Sequence, residues 1–200
     1  MKSLKENFQK AHIVIIGSGI IGKFNALELS ELGFQVTIID PAQHQNSSNA
    51  ALGLLMGNMY QKRRGRSWDL RKQSIELWPQ WITFLQKYNS ELNINKPLIQ
   101  LTTNEEKFKK LEKFIYENND QNLRILERDS IFIKNINKAF QTKNIKGMIS
   151  FKDGRINALS LLQTLDKYLK HKKVNYLKGE IIKIRKLNNQ WISTTRNNEN

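Results

Sequence analysis

Apolar positions in this chain change period several times, and each change predicts an element. Ile13-Val14-Ile15-Ile16 is a β-branched run, the pattern of a strand buried on both faces. Helical spacing follows at Ile20, Phe24 and Leu27, with Leu29 and Leu32 widening the face, and Gly33 stands where a helix-ending glycine belongs. Gln35 to Ile39 is a second strand, closing on Asp40. Ser67 to Tyr88 reads as a long helix with Ile75, Trp78, Ile82 and Leu85 on one face; Pro79 should bend or break it. Leu98 to Leu101 is strand-like, and Asn104 to Glu117 is an amphipathic helix with Phe108, Leu111 and Ile115 inward. The mixed segment from Glu127 holds a strand at Met148 to Phe151, and Asp153-Gly154-Arg155 is a turn signal. A helix from Ala158 to Lys170 then turns Leu161, Leu162, Leu165 and Leu169 inward. Val174 to Leu177 and Glu180 to Ile184 are strands, with Trp191 to Thr195 as a hairpin partner across Leu187-Asn188-Asn189.

The first strand–helix–strand unit carries the chemistry. Between its first strand and helix lies Gly17-Ser18-Gly19-Ile20-Ile21-Gly22, a Gly-x-Gly-x-x-Gly turn in its full context. Gly17 allows the tight turn, Gly19 lets backbone approach a diphosphate, and Gly22 lets the helix pack close to the sheet. Asp40 comes 18 residues after Gly22, near the interval at which an acid meets an adenosine ribose. A glycine-rich turn in some other α/β domain is the bland alternative.

The segment Ala50-Ala51-Leu52-Gly53-Leu54-Leu55-Met56-Gly57 follows a polar loop, Gln43 to Asn49. Its small side chains suit backbone pressed against a flat partner, and equally a helix start capped by Ser48. Trp68, Trp78 and Trp81 read as core more readily than as a pocket lining.

With 200 residues the chain can bury a real core as one large domain or two small ones. It has no cysteine, which excludes disulfides and thiol nucleophiles and fits a reducing cytoplasm. Met1 to Ile21 has the charge of a signal peptide, but its glycines are better explained by the turn, and no run reaches a membrane span of ~20 apolar residues. The net charge of +15 invites a nucleic-acid reading. However, Lys, Asn and Ile make up about a third of the chain, as AT-rich coding would produce, and the lysines form no stripe. The cluster Lys62-Arg63-Arg64-Gly65-Arg66 reads as a solvated turn before a helix, with anion binding as the sharper alternative. His12, His44 and His171 lack metal-ligand spacing, so no metal site is named.

In this order, the segments resemble the FAD-dependent oxidoreductases of the D-amino-acid oxidase family, nearest its glycine oxidase branch. The match rests on Val14 to Gly22 with Asp40, on Ser48-Asn49-Ala50-Ala51-Leu52-Gly53-Leu54-Leu55, and on Asp153-Gly154-Arg155 running into Ile156 to Leu162. The resemblance implies a Rossmann-like α/β FAD-binding domain, residues 1–57 with 152–200, and an inserted, partial α+β substrate domain, 58–151. It implies that Gly17, Gly19, Ile20, Ile21 and Gly22 face the diphosphate and Asp40 the ribose. Ser47, Ser48, Gly53 and Leu54 would lie along the flavin, which accounts for the bare segment, and Ile181 would offer backbone to the adenine. The family usually carries glutamate where Asp40 stands, and Asn49 and Leu52 also depart from its pattern.

The implied activity is oxidation of a glycine-like amino acid or amine by hydride transfer to flavin, with oxygen as acceptor. Only the family's N-terminal half is matched, so the arginine that grips the substrate carboxylate has no counterpart and no catalytic residue is named. A nicotinamide-binding dehydrogenase domain is one alternative; a catalytically dead module joined to a partner chain is another, and an RNA-binding protein comes last. Half a fold should leave sheet edges and apolar faces uncovered. The purified chain is therefore expected to associate, and elution as a compact monomer in size-exclusion chromatography would contradict this.

Overall fold

The computed structural model describes residues 11–42, 46–134, 144–188 and 190–196. His44 and the adjoining part of the polar loop lie outside them. Along the chain run β1 (His12–Ile16), α1 (Ile20–Glu31), β2 (Gln35–Asp40), β3 (Leu54–Leu55), α2 (Arg66–Leu85), β4 (Ile94–Asn95), β5 (Leu98–Thr102) and α3 (Glu105–Asn118). Then follow β6 (Leu123–Leu126), α4 (Ile131–Lys134), β7 (Lys146–Ser150), β8 (Gly154–Ile156), α5 (Ala158–His171), β9 (Asn175–Lys178), β10 (Ile181–Leu187) and β11 (Gln190–Thr195). They form two compact units: residues 1–51, 85–92 and 158–200, and residues 52–84 and 93–157. Among the described residues no helix is long and apolar enough to cross a membrane.

In the first unit β1, β2 and β9 make a parallel sheet in that order. Helices α1 and α5 pack together, burying Ala26 and Leu27 of one and Leu161, Leu165 and Leu169 of the other, with Val36 and Ile38 of β2 also in the core. Helix α1 ends at Gly33, where φ is +87°. There the Gly33 and Phe34 N–H groups donate to the carbonyls of Ser30 and Leu29, closing the last turn. Tyr168 of α5 donates its hydroxyl to Glu31, which also pairs with Lys172 at 2.7 Å. Residues 85–92 join this core through Tyr88, set edge-on to Tyr168 with ring centroids 5.2 Å apart. Asn89 adds hydrogen bonds of 3.1 Å to Ser160 and Thr164.

Strand β1 departs from the expectation of burial on both faces. Ile13 and Ile15 are half-buried, but Val14 and Ile16 are 43% and 51% exposed. Among the described residues β1 pairs with a strand on one side only. Leu32 is likewise exposed, because α1 stops before it; the buried face of α1 is Lys23, Ala26 and Leu27. Strands β10 and β11 form the predicted hairpin, paired from Leu187↔Gln190 outward.

The second unit holds two antiparallel sheets, β5-β7-β6 and β3-β8-β4. Helix α3 opens on Asn104, whose side chain accepts the Lys107 N–H at 2.8 Å. Its inward Leu111 and Phe114 meet Met59, Leu123 and Met148 in the core. Helix α2 runs without a break through Pro79.

Asp153-Gly154-Arg155 was expected to be a turn. Instead Gly154 begins β8, between β3 and β4, with Asp153 buried just before it. The Asp153 carboxylate accepts the N–H groups of Gly57, Asn58 and Met59 at 2.8, 2.9 and 2.7 Å. A tight bend leaves those donors no ladder partners, so one buried anion satisfies all three. Asp153→Asn presents an N–H where an acceptor is needed. It should lower stability by about 3 kcal/mol in urea denaturation; a loss below about 1 kcal/mol would show the bend to be held otherwise.

Candidate functional site

Strands β1 and β2 pair in register from His12↔Gln35 to Ile16↔Ile39. The loop leaving β1 and the acid ending β2 therefore reach the same sheet end. Gly17 donates its N–H to the Ile39 carbonyl at 2.8 Å and takes φ +99°, a left-handed value that favours glycine. A Cβ on Gly22 would sit 2.0 Å from the Gly17 carbonyl oxygen, so helix and loop touch backbone to backbone. Gly19 is the N-cap of α1 and has no side chain to cap it. Ser48 supplies that function from a distance: its Oγ accepts the Ile20 N–H at 2.9 Å. No helix begins at Ser48 itself; residues 47–50 form a turn, and the hydroxyl caps α1.

Asp40 ties the loop to the sheet. One carboxylate oxygen accepts the Ser18 N–H and the other the Ala42 N–H, each at 2.7 Å. Burial works to raise its pKa, but these hydrogen bonds and the positive charge of Lys23 outweigh it and hold the carboxyl below the usual aspartate range. Ser18 and Asp40 stand on the wall of an open cleft of about 790 Å³, shared with Lys23, Asp166, Tyr176 and Lys178. Lys23 is 6% exposed, and its ammonium pairs with Asp166 of α5. Tyr176 of β9 donates its hydroxyl to Asp166 at 3.1 Å; burial, then the Asp166 charge, push this phenol upward.

The structure thus gathers Gly17, Gly19, Ile20, Ile21, Gly22, Asp40 and Ser48 around one helix start, with Ile21 76% exposed and Ser47 exposed in the adjoining turn. Ile181 opens β10, just after Gly179, whose N–H donates to the Asp40 carbonyl at 3.0 Å. Gly53 and Leu54 belong to the second unit, where the Gly53 carbonyl accepts the Ile156 N–H and Leu54 pairs with Arg155. Sequence reading passed over Lys23 and Asp166. The available signal was a lysine in register with Ala26 and Leu27, on the face a helix buries.

Arg63 also differs from expectation. It is not solvated with its neighbours but lies 5.5 Å from the Trp68 ring and 5.0 Å from that of Phe114. Arg71 lies 4.1 Å from the Tyr60 ring, and Tyr60 stacks on Trp68. Among the histidines, His12 bonds Thr37 at 2.8 Å and His171 contacts Tyr88. No metal-holding group of three acids or histidines occurs among the described residues.

A bare loop at a donor-rich helix start, beside an ionised acid with accepting capacity left, fits the diphosphate and ribose of a dinucleotide. Residues 12–200 match the family model DAO, described as FAD dependent oxidoreductase. Among curated protein sequences, none matches. Solved structures with the same fold include glycine oxidase from Bacillus cereus ATCC 14579, 21% identical with a TM-score of 0.78, covering 94% of this chain and 52% of that one. Glycine oxidase from Geobacillus kaustophilus is 21% identical with a TM-score of 0.79, covering 92% and 51%. Iminodiacetate oxidase from Chelativorans sp. BNC1 is 16% identical with a TM-score of 0.76, covering 94% and 52%. The chain spans about half the length of these proteins.

Gly22→Ala must push α1 off the loop and should cost about 2 kcal/mol in thermal or urea unfolding. Unchanged stability would mean that the close approach is not required. Because the Asp40 pKa is lowered on folding, its stabilisation is complete above the unfolded value of about 3.9 and fades as pH falls through the folded one. Asp40→Asn should therefore be less stable than the parent at pH 7, with the gap closing on acidification. A gap independent of pH would contradict this.

Proposed function

Because the chain belongs to the DAO family of FAD dependent oxidoreductases, we propose that the turn from Gly17 to Asp40 is the FAD groove of a flavoprotein oxidising a small, glycine-like amino acid or amine. The supporting observation is the convergence of Gly17, Gly22, Asp40 and Ser48 on one helix start, within a match that covers residues 12–200. The names of the similar structures, glycine oxidase and iminodiacetate oxidase, suggest the substrate class. Gly17, Gly19, Ile20, Ile21 and Gly22 offer backbone to the diphosphate, Asp40 accepts from the adenosine ribose, and Ile181 offers backbone to the adenine. Ser47, Ser48, Gly53 and Leu54 are assigned to the flavin side.

The chemistry supplied by bound FAD is acceptance of a hydride from the substrate α-carbon, with oxygen as final acceptor. The chain's part is to hold and orient. The functional division is 1–57 with 152–200 for FAD and 58–151 for substrate. It differs from the compact units only in where 52–57, 85–92 and 152–157 are counted. Catalysis belongs to an assembly in which the exposed apolar face of β1, Val14 and Ile16, is covered by further chain or by a partner subunit.

The test is incubation of the 200-residue chain with FAD, removal of free cofactor and a visible absorption spectrum. Retained flavin bands are expected, with affinity about tenfold weaker in Asp40→Asn, the equivalent of about 1.4 kcal/mol. A folded chain that retains no flavin and shows no calorimetric binding of FAD or ADP would overturn the proposal.

A further inference from the structure

Arg155 stands where a turn was expected, in the middle strand of the β3-β8-β4 sheet. It pairs in register with Leu54 on one side and with Asn95 on the other. Residues directly opposite each other in an antiparallel pair share a face, with Cβ atoms about 5 Å apart. Arg155 therefore shares its face with Leu54, the leucine assigned to the flavin side, and both are exposed. Its Nε donates to the Leu52 carbonyl at 3.0 Å, and the Ile156 N–H donates to the Gly53 carbonyl at 2.9 Å. Gly53 is held just as closely: its φ is +70°, and a Cβ there would sit 1.9 Å from the Ile156 carbonyl oxygen. The arginine and the segment 52–55 are thus fixed to one another.

An exposed arginine is ordinarily a solvated charge whose long stem roams. Arg155 differs in two ways. Its backbone lies in a central strand and its Nε is tethered, so the guanidinium has little freedom left. The tether uses Nε alone, and among the described residues no carboxylate pairs with the two Nη groups. Arg63 and Arg71 of the same unit, by contrast, give Nη donors to the Asn58 and Met56 carbonyls. A guanidinium held by Nε presents its end-on pair of N–H groups, the planar fork that matches a carboxylate. We propose that Arg155 is the carboxylate-binding residue of this chain: its two Nη groups take the carboxylate of the small amino acid beside Leu54. This rests on the reading of the chain as a flavoprotein with Gly53 and Leu54 on the flavin side.

The test titrates the FAD-loaded 200-residue chain with acetate and with its neutral isostere acetamide at constant ionic strength, reading the visible flavin bands. The parent should bind acetate about tenfold more tightly than acetamide. Arg155→Met should bring the two ligands within about twofold by weakening acetate alone. Arg155→Lys, which keeps the charge without the fork, should restore only part of the preference. Arg155→Gln keeps an N–H donor for the Leu52 carbonyl, and it serves if Arg155→Met does not fold or hold FAD. A loaded parent that responds equally to both ligands or to neither would overturn the inference and leave the flavin reading standing. So would an Arg155→Met or Arg155→Gln variant that keeps the full preference. A folded chain that retains no flavin would overturn the flavin reading, and this inference with it.

Discussion

The first unit depends on one close approach, that of α1 to the loop leaving β1. With Gly22 against the Gly17 carbonyl there is no room for even a methyl group, so the helix start lies directly over the sheet end. Everything polar at the site follows from that contact. The loop is pressed toward β2, where Gly17 reaches the Ile39 carbonyl and Ser18 reaches Asp40. The first turn of α1 is left facing outward with donors that its own backbone cannot satisfy, and a serine 28 residues away takes one of them.

Two aspartates, Asp153 buried and Asp40 half-buried, organise the two units by the same physics. Asp40 closes a loop by accepting two backbone N–H groups, and Asp153 closes another by accepting three. In each case a bend breaks the regular ladder, and a carboxylate is the most compact way to satisfy several donors at once. The difference is access. Asp153 is sealed in the interior, whereas Asp40 borders an open cleft and keeps lone pairs for something else. That contrast separates an acid wholly taken up by the fold from one with accepting capacity left.

Apolar exposure is uneven in a way that composition would not suggest. The α1–α5 side of the parallel sheet is packed, with Ile38, Leu165 and Leu169 excluded from solvent, while Val14 and Ile16 on β1 are open. In the second unit the aromatic residues of α2 are half-buried, and the layering of Arg71, Tyr60, Trp68, Arg63 and Phe114 places guanidinium groups against ring faces. The same guanidinium groups donate to the Asn58 and Met56 carbonyls, so these arginines fill apolar space with both ring and backbone partners.

The sequence by itself determined the strand–helix–strand order around Gly17 to Asp40, the stop at Gly33, the amphipathic α3 and α5, and the β10–β11 hairpin. These are local outcomes, set by period and by glycine chemistry within a few residues. It also carried the family, because the motif recurs at fixed spacing with two further segments. Tertiary structure decided what depends on distant partners. Ser48 caps a helix far from it in the chain, Asp153 leaves the turn its dipeptide signals to serve the bend at 57–59, and Lys23 is buried because Asp166 comes to meet it. The burial of β1 was misread for the same reason: a β-branched run says that a strand forms, but only its neighbours say which faces are covered.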